Sequence, residues 1–121
     1  GGMRHDRRKA DGLSGEGLAL GYLFARGLRV VARNWRSGRF GELDLVCRQG
    51  ATIVFVEVKT RRQSRFGSGA AAVDARKQRR LLALGTAYMR AHPDQPCRFD
   101  VVEVDLSAAV PRIRHFMAAF P

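Results

Sequence analysis

Two short apolar runs stand back to back in this chain, and charge interrupts both in mid-run. Phe40-Gly41-Glu42-Leu43-Asp44-Leu45-Val46-Cys47 is followed, across Gln49-Gly50, by Ile53-Val54-Phe55-Val56-Glu57-Val58-Lys59. Runs of this length, rich in Val, Ile and Phe and split by a tight-turn pair, predict a β-hairpin over 40–48 and 51–60. Both strands are apolar enough to be buried. A buried carboxylate is strongly unfavourable unless it is paired or holds a metal, so these charged residues need partners.

Strand geometry supplies them. Side chains alternate across a strand, which puts Glu42 with Asp44 on one face and Glu57 with Lys59 on one face. A two-residue turn at Gln49-Gly50 pairs Arg48 with Ala51, hence Asp44 with Phe55 and Glu42 with Glu57. All four charges then share a face, and Asp44 and Glu57 are diagonal neighbours about 7–8 Å apart. A turn of odd length would separate them. Two carboxylates that leave positions open for water and phosphate suit Mg²⁺ or Mn²⁺. Such an ion activates water and neutralises charge on a phosphodiester, and Lys59 is placed to steer the water or stabilise developing charge. On the bare motif an equally good alternative is a salt-bridged strand pair, Glu57 with Lys59 and Asp44 with an arginine, serving no chemistry.

The rest of the chain frames this hairpin. Leu13, Leu20, Leu23 and Phe24 recur at helical spacing over 12–26, with Ser14 as an N-cap and Gly27 as a stop. Glu16, between Leu13 and Leu20, points toward the core side of that helix or is an exposed first-turn acid favoured by the helix dipole. A strand is expected over 28–35. After the third strand, 61–70 reads as a loop rich in Arg, Ser and Gly. The longest helix spans 71–91, with Val73, Leu81, Leu84 and Tyr88 on one stripe. A fourth strand covers 98–106, and 112–117 adds a short edge strand. Helix crossovers join parallel strands, so the order α-β-β-β-α-β predicts an antiparallel meander continued by one parallel pair: an α/β fold with a mixed sheet and flanking helices.

Charge narrows the partner. Twenty-two Lys+Arg against eleven Asp+Glu give a net +11, a field that attracts polyanions, nucleic acid first. No basic amphipathic helix with a large apolar face offers itself to a membrane, and no run approaches the ~18–20 apolar residues of a span. Nineteen of the basic residues are arginine, which suits phosphate but is equally the mark of a GC-rich genome. The three lysines, Lys9, Lys59 and Lys77, stand out against that bias. Lys77 lies on the apolar stripe of the long helix and either snorkels at its edge or reaches the site or a phosphate; Gln78 beside it could bind phosphate or a metal's water shell. Arg61, Arg62 and Arg65 follow the site strand and could hold a nucleic-acid backbone. Arg33, Arg36 and Arg39 flank Trp35, which reads as packing before base stacking. Cys47 and Cys97 read as buried free thiols of a cytoplasmic protein. His5, His92 and His115 have no constellation around them and read as solvent-facing, and Asp100 as serving the sheet. Gly1-Gly2 reads as a cloning scar on a flexible basic arm at 1–11, ahead of a single domain at 12–121.

Gly41-Glu42-Leu43-Asp44-Leu45-Val46 followed by Val54-Phe55-Val56-Glu57-Val58-Lys59-Thr60-Arg61 resembles the paired-strand signature of the PD-(D/E)XK nuclease fold. More narrowly, the chain resembles the YraN-type family of bacterial proteins, which is similar in fold to archaeal Holliday-junction resolvases. The likeness extends to Gly12–Arg26, Arg33-Asn34-Trp35-Arg36, Phe66-Gly67, Lys77-Gln78-Arg79-Arg80-Leu81 and Arg98-Phe99-Asp100-Val101, about Gly12 to Leu106 in all, with Leu43 standing where the superfamily name has proline. It implies a restriction-endonuclease-like core and a site of Asp44, Glu57 and Lys59, with Glu16 as a further carboxylate. Asp44, Glu57 and Glu16 would hold Mg²⁺ or Mn²⁺, and Arg36, Arg61, Arg62, Lys77 and Gln78 would face nucleic acid, DNA before RNA. Metal-dependent endonuclease activity is the expected function, with a homodimer by analogy. The alternative is a module of the same fold that binds nucleic acid without cutting it.

Overall fold

A computed structural model describes residues 13–62 and 73–120. The basic arm at 1–11, Arg65 and Phe66-Gly67 lie outside the described residues. Five strands form one sheet in the order β1-β2-β3-β4-β5: β1 (Arg29–Arg36), β2 (Glu42–Gln49), β3 (Thr52–Arg61), β4 (Cys97–Asp105) and β5 (Arg112–Phe116). A π-type turn at Leu13–Gly17 runs into α1 (Leu18–Ala25), and α2 (Ala75–Met89) connects β3 to β4. β1, β2 and β3 pair antiparallel, β3 and β4 pair parallel, and β5 returns antiparallel on β4. This is the mixed sheet with flanking helices that the order of apolar runs predicts.

Each face of the sheet buries its own cluster. Val46, Ile53, Phe55, Phe99 and Val101 pack with Leu81 and Leu84 of α2. Leu45, Cys47, Val54, Val56, Val102 and Val104 pack with Ala19 and Leu23 of α1. Burial on both faces is why β3 and β4 read as nearly continuous apolar runs. Gly85 lets α2 seat on the sheet, since a Cβ there would lie 2.6 Å from Phe99 Cζ.

The hairpin turn is displaced by one residue from its expected place. Gln49 pairs with Thr52, so the turn residues are Gly50 and Ala51. Gly50 has φ of 61°, and glycine at the first central position is what a two-residue hairpin loop of this kind requires. Shifting an even-length turn by one residue moves the register by two, so face parity survives along the ladder from Leu45 to Gln49. By count Asp44 falls opposite Glu57 instead of Phe55.

Other boundaries differ for local reasons. β2 begins at Glu42 because Gly41 turns left-handed at φ of 93°. α2 begins at Ala75, four residues later than expected, because Asp74 caps it: its Oδ1 accepts from Lys77 N at 2.9 Å. Ser14 lies inside the first turn and does not start it. Gly27 does end α1, with φ of 85° and Leu28 N donating to Leu23 O at 2.9 Å. No described helix is long and apolar enough to cross a membrane.

Candidate metal centre

β1 and β2 both change face beside Asp44. Ala32 and Trp35 are three residues apart, yet both pack on the α2 side, as do Leu43 and Val46. Strict alternation would place the members of each pair on opposite faces. In β1 the change runs through Asn34, left-handed at φ of 50°, a conformation asparagine tolerates better than most side chains. In β2 it falls around Asp44. The regular β2–β3 ladder ends at Leu45↔Val56; just beyond it Asp44 Oδ2 accepts from Val58 N at 2.9 Å. A side-chain carboxylate has taken an acceptor's place in the ladder, which draws it between the two strands.

Two environments meet there. Glu16, Asn34, Val58 and Thr60 line a cavity of about 200 Å³ together with Asp44. Toward α2, Asp44 comes within hydrogen-bonding reach of Glu57, and Lys77 Nζ stands 3.2 Å from Glu57 Oε1. Lys59 in turn touches Lys77. Burial first, and then the Glu57 charge, push the Asp44 carboxyl from 3.8 up to about 7, against the Val58 hydrogen bond and the Lys77 charge. Contact with Lys77 and then burial pull Lys59 below its ordinary value. For Lys77 burial acts downward, but the contact with Lys59 and the charge of Glu57 outweigh it and hold the group above its usual range.

Asp44, Glu57 and Lys59 are thus brought together, and Lys77 joins them from α2. Glu16 shares the cavity with Asp44, but its carboxylate is turned to Arg33 NH2 at 2.9 Å. Gly15 packs its backbone directly on the Thr60 side chain, where a Cβ would overlap the hydroxyl, and this approach brings Glu16 to β3. Among the described residues no three of His, Cys, Asp or Glu stand close enough to hold one ion between them. Glu42 leaves the group altogether: its Oε2 accepts from Arg36 Nε at 2.9 Å. Arg61 lies 3.5 Å from buried Glu103, and Arg62 is exposed just past the end of β3. Gln78 Nε2 donates to Val73 O at 3.0 Å and so ties down the start of α2.

Three readings of the sequence are corrected. His115 is not solvent-facing: its side chain is 8% exposed, Nε2 lies 2.8 Å from Asp100 Oδ2, and Tyr22 OH lies 3.1 Å from Nδ1. His92 stacks on Tyr88 with ring centroids 5.0 Å apart. Cys97 is exposed at the start of β4, whereas Cys47 is buried and its thiol is pushed up to about 12, by burial and then by Asp100. Asp100 serves the sheet as expected: fully buried, it accepts from Arg98 Nε at 3.0 Å and from Ala118 N at 3.0 Å.

Sequence reasoning missed Glu103. It is fully buried, neither oxygen has a hydrogen-bond partner among the described residues, and Arg61 and Arg114 approach to 3.5 Å. The signal was present, because Glu103 interrupts an apolar run just as Asp44 and Glu57 do.

A family model described as "Uncharacterised protein family UPF0102" matches residues 15–104. The chain belongs to the UPF0102 (YraN) family. A UPF0102 protein of Methylobacillus flagellatus is 49% identical over 87 residues, 72% of this chain and 76% of the relative. One from Anaeromyxobacter dehalogenans is 44% identical over 117 residues, 95% of this chain and 87% of the relative. Another from Symbiobacterium thermophilum is 50% identical over 96 residues, 78% and 80% of the two chains. The UPF0102 match spans Gly15, Asn34, Asp44, Glu57, Lys59 and Lys77, and it ends before β5 and His115.

The donor set suits a small divalent cation. Mg²⁺ is commonly held by one or two carboxylates, with water and phosphate filling the other positions. Asp44 and Glu57 supply such a pair, and the upward push on Asp44 comes first from burial and then from the charge of Glu57.

Proposed function

We propose that this UPF0102 protein hydrolyses phosphodiester bonds in nucleic acid, DNA before RNA, with Mg²⁺ or Mn²⁺ held by Asp44 and Glu57. The observation that carries this reading is the meeting of the two carboxyl groups between β2 and β3, with Lys59 beside them. The likeness of the strand pair to the PD-(D/E)XK signature supports it, and so does the +11 charge. When bound, the ion supplies an activated water and neutralises charge on the phosphate. Val58 N fixes one Asp44 oxygen and leaves the other to the ion. Lys59 Nζ would stabilise the charge that develops on the phosphate as the P–O bond to the leaving oxygen breaks. Glu16, at the cavity shared with Asp44, orients water once Arg33 turns to a phosphate.

A module that binds nucleic acid without cutting it is the second reading. It is favoured by Lys77, which already balances Glu57 without an ion. Calorimetric titration of Mn²⁺ into wild type and Asp44→Asn separates the two. The nuclease reading expects one ion bound by wild type and at least tenfold weaker binding by Asp44→Asn. DNA affinity in EDTA should hold or rise slightly, because a negative charge facing the phosphates is gone. Equal Mn²⁺ binding by both proteins would leave the binding module standing.

A further inference from the structure

Lys77 reaches the carboxyl pair from a different element than the other members of the group. Asp44, Glu57 and Lys59 belong to the β2–β3 hairpin, whereas Lys77 belongs to the first turn of α2. Its backbone is anchored there, with Lys77 N bonded to Asp74 Oδ1 at 2.9 Å. Its side chain is held at the far end by Glu57, 3.2 Å away. Lys59 instead shares β3 with Glu57, its backbone opposite Glu103 of β4.

The local charge count makes this arrangement conditional. Two ammonium groups touch each other beside two carboxyl groups. A divalent ion entering the same space would leave four positive charges facing at most two negative ones. One ammonium must leave for the ion to bind well, and Lys77, on a different element from the carboxyl pair, reaches Glu57 through a partly exposed side chain. Residue type agrees. Only three lysines stand among twenty-two basic residues, and two of them meet here. Arginine would grip the carboxylate with a planar fork, while lysine is a point charge on a flexible stem that releases it more readily.

We propose that Lys77 is a stand-in counter-ion that a divalent metal displaces from Glu57, and that the displaced ammonium then pairs with a phosphate oxygen of the nucleic acid. Lys77 is therefore a positioning residue that links metal binding to nucleic-acid binding. Without nucleic acid, metal must evict Lys77 into water. With nucleic acid present the evicted group gains a partner, so each ligand strengthens the other, and by linkage the factor is the same in both directions. This inference rests on the metal reading above, and the two can fail separately.

The test is a calorimetric Mn²⁺ titration with and without a phosphorothioate DNA duplex, which resists hydrolysis. Wild type is compared with Lys77→Met, Lys77→Gln and Arg76→Gln, the last removing one exposed positive charge from the same turn. Lys77→Met and Lys77→Gln should bind Mn²⁺ alone at least threefold tighter than wild type, and Arg76→Gln should match wild type. The duplex should tighten Mn²⁺ binding by wild type at least threefold more than it does in the Lys77 variants. Either Lys77 variant alone suffices if the other fails to fold. Mn²⁺ affinity equal to or weaker than wild type in the Lys77 variants overturns the displacement. Gains of the same size in Arg76→Gln overturn it too, by reducing the effect to net charge. If no protein takes up Mn²⁺ at all, the metal reading falls and the role of Lys77 falls with it.

Discussion

The buried carboxyl of Asp44 works against the stability of the fold at neutral pH. In the folded chain its carboxyl is held near 7, far above the unfolded 3.8, because burial and Glu57 both oppose its charge. A carboxyl raised on folding binds its proton more tightly in the native state, so its contribution to stability is present below about pH 4 and lost as pH rises toward 7. Asparagine keeps an acceptor for Val58 N and carries no charge. Asp44→Asn should therefore stabilise the metal-free protein by roughly 2 kcal/mol at pH 8 and by clearly less at pH 5. Thermal melts in EDTA at the two pH values check this, and a variant less stable than wild type at pH 8 would contradict it. Asp44, Glu57 and Lys59 were legible in the sequence because a charge inside an apolar strand must be accounted for. Lys77 was legible as misplaced, but its partner was not, since that contact depends on how α2 crosses β3. His115 was illegible for the same reason, as its partners Asp100 and Tyr22 lie on two other elements.

At the scale of elements, alternation and turn length explain what could be read and what could not. Turn parity kept the ladder from Leu45 to Gln49 in its expected facing despite the displaced turn, but it does not govern Asp44, which lies beyond the last ladder pair. The change of face in β1 and β2 breaks alternation, and nothing in the pattern of apolar residues announces it. Asn34 is its one local mark, being among the few residue types that accept a positive φ. Helix α2 shows the opposite case: the apolar stripe runs back to Val73, but Asp74 cuts the helix one residue later by capping it. That cap also positions Lys77. Asp74→Ala should cost about 1 kcal/mol in urea unfolding and speed amide exchange selectively in the first turn of α2. Exchange at Lys77 unchanged from wild type would show that the turn is held by something other than the cap.

Among the described residues of the whole molecule, the sheet has one helix on each face, and the carboxyl pair lies just past the end of the β2–β3 ladder. From that position Asp44 is open to both sides, to the cavity with Glu16 and Asn34 and to the group around Glu57. Under the proposed function the +11 charge would draw a polyanion toward this site. The sheet order followed from the sequence of apolar runs, whereas the gap between the strands is a property of the assembled sheet. The most direct measurement is cleavage of a panel of linear and branched DNA and RNA in Mn²⁺, by wild type, Asp44→Asn and Lys59→Ala. Wild type should cut at least one substrate, stop in EDTA, and lose on the order of 100-fold or more in rate with either substitution. Absence of cutting on every substrate, or cutting that persists in Asp44→Asn, would contradict the assignment of the site.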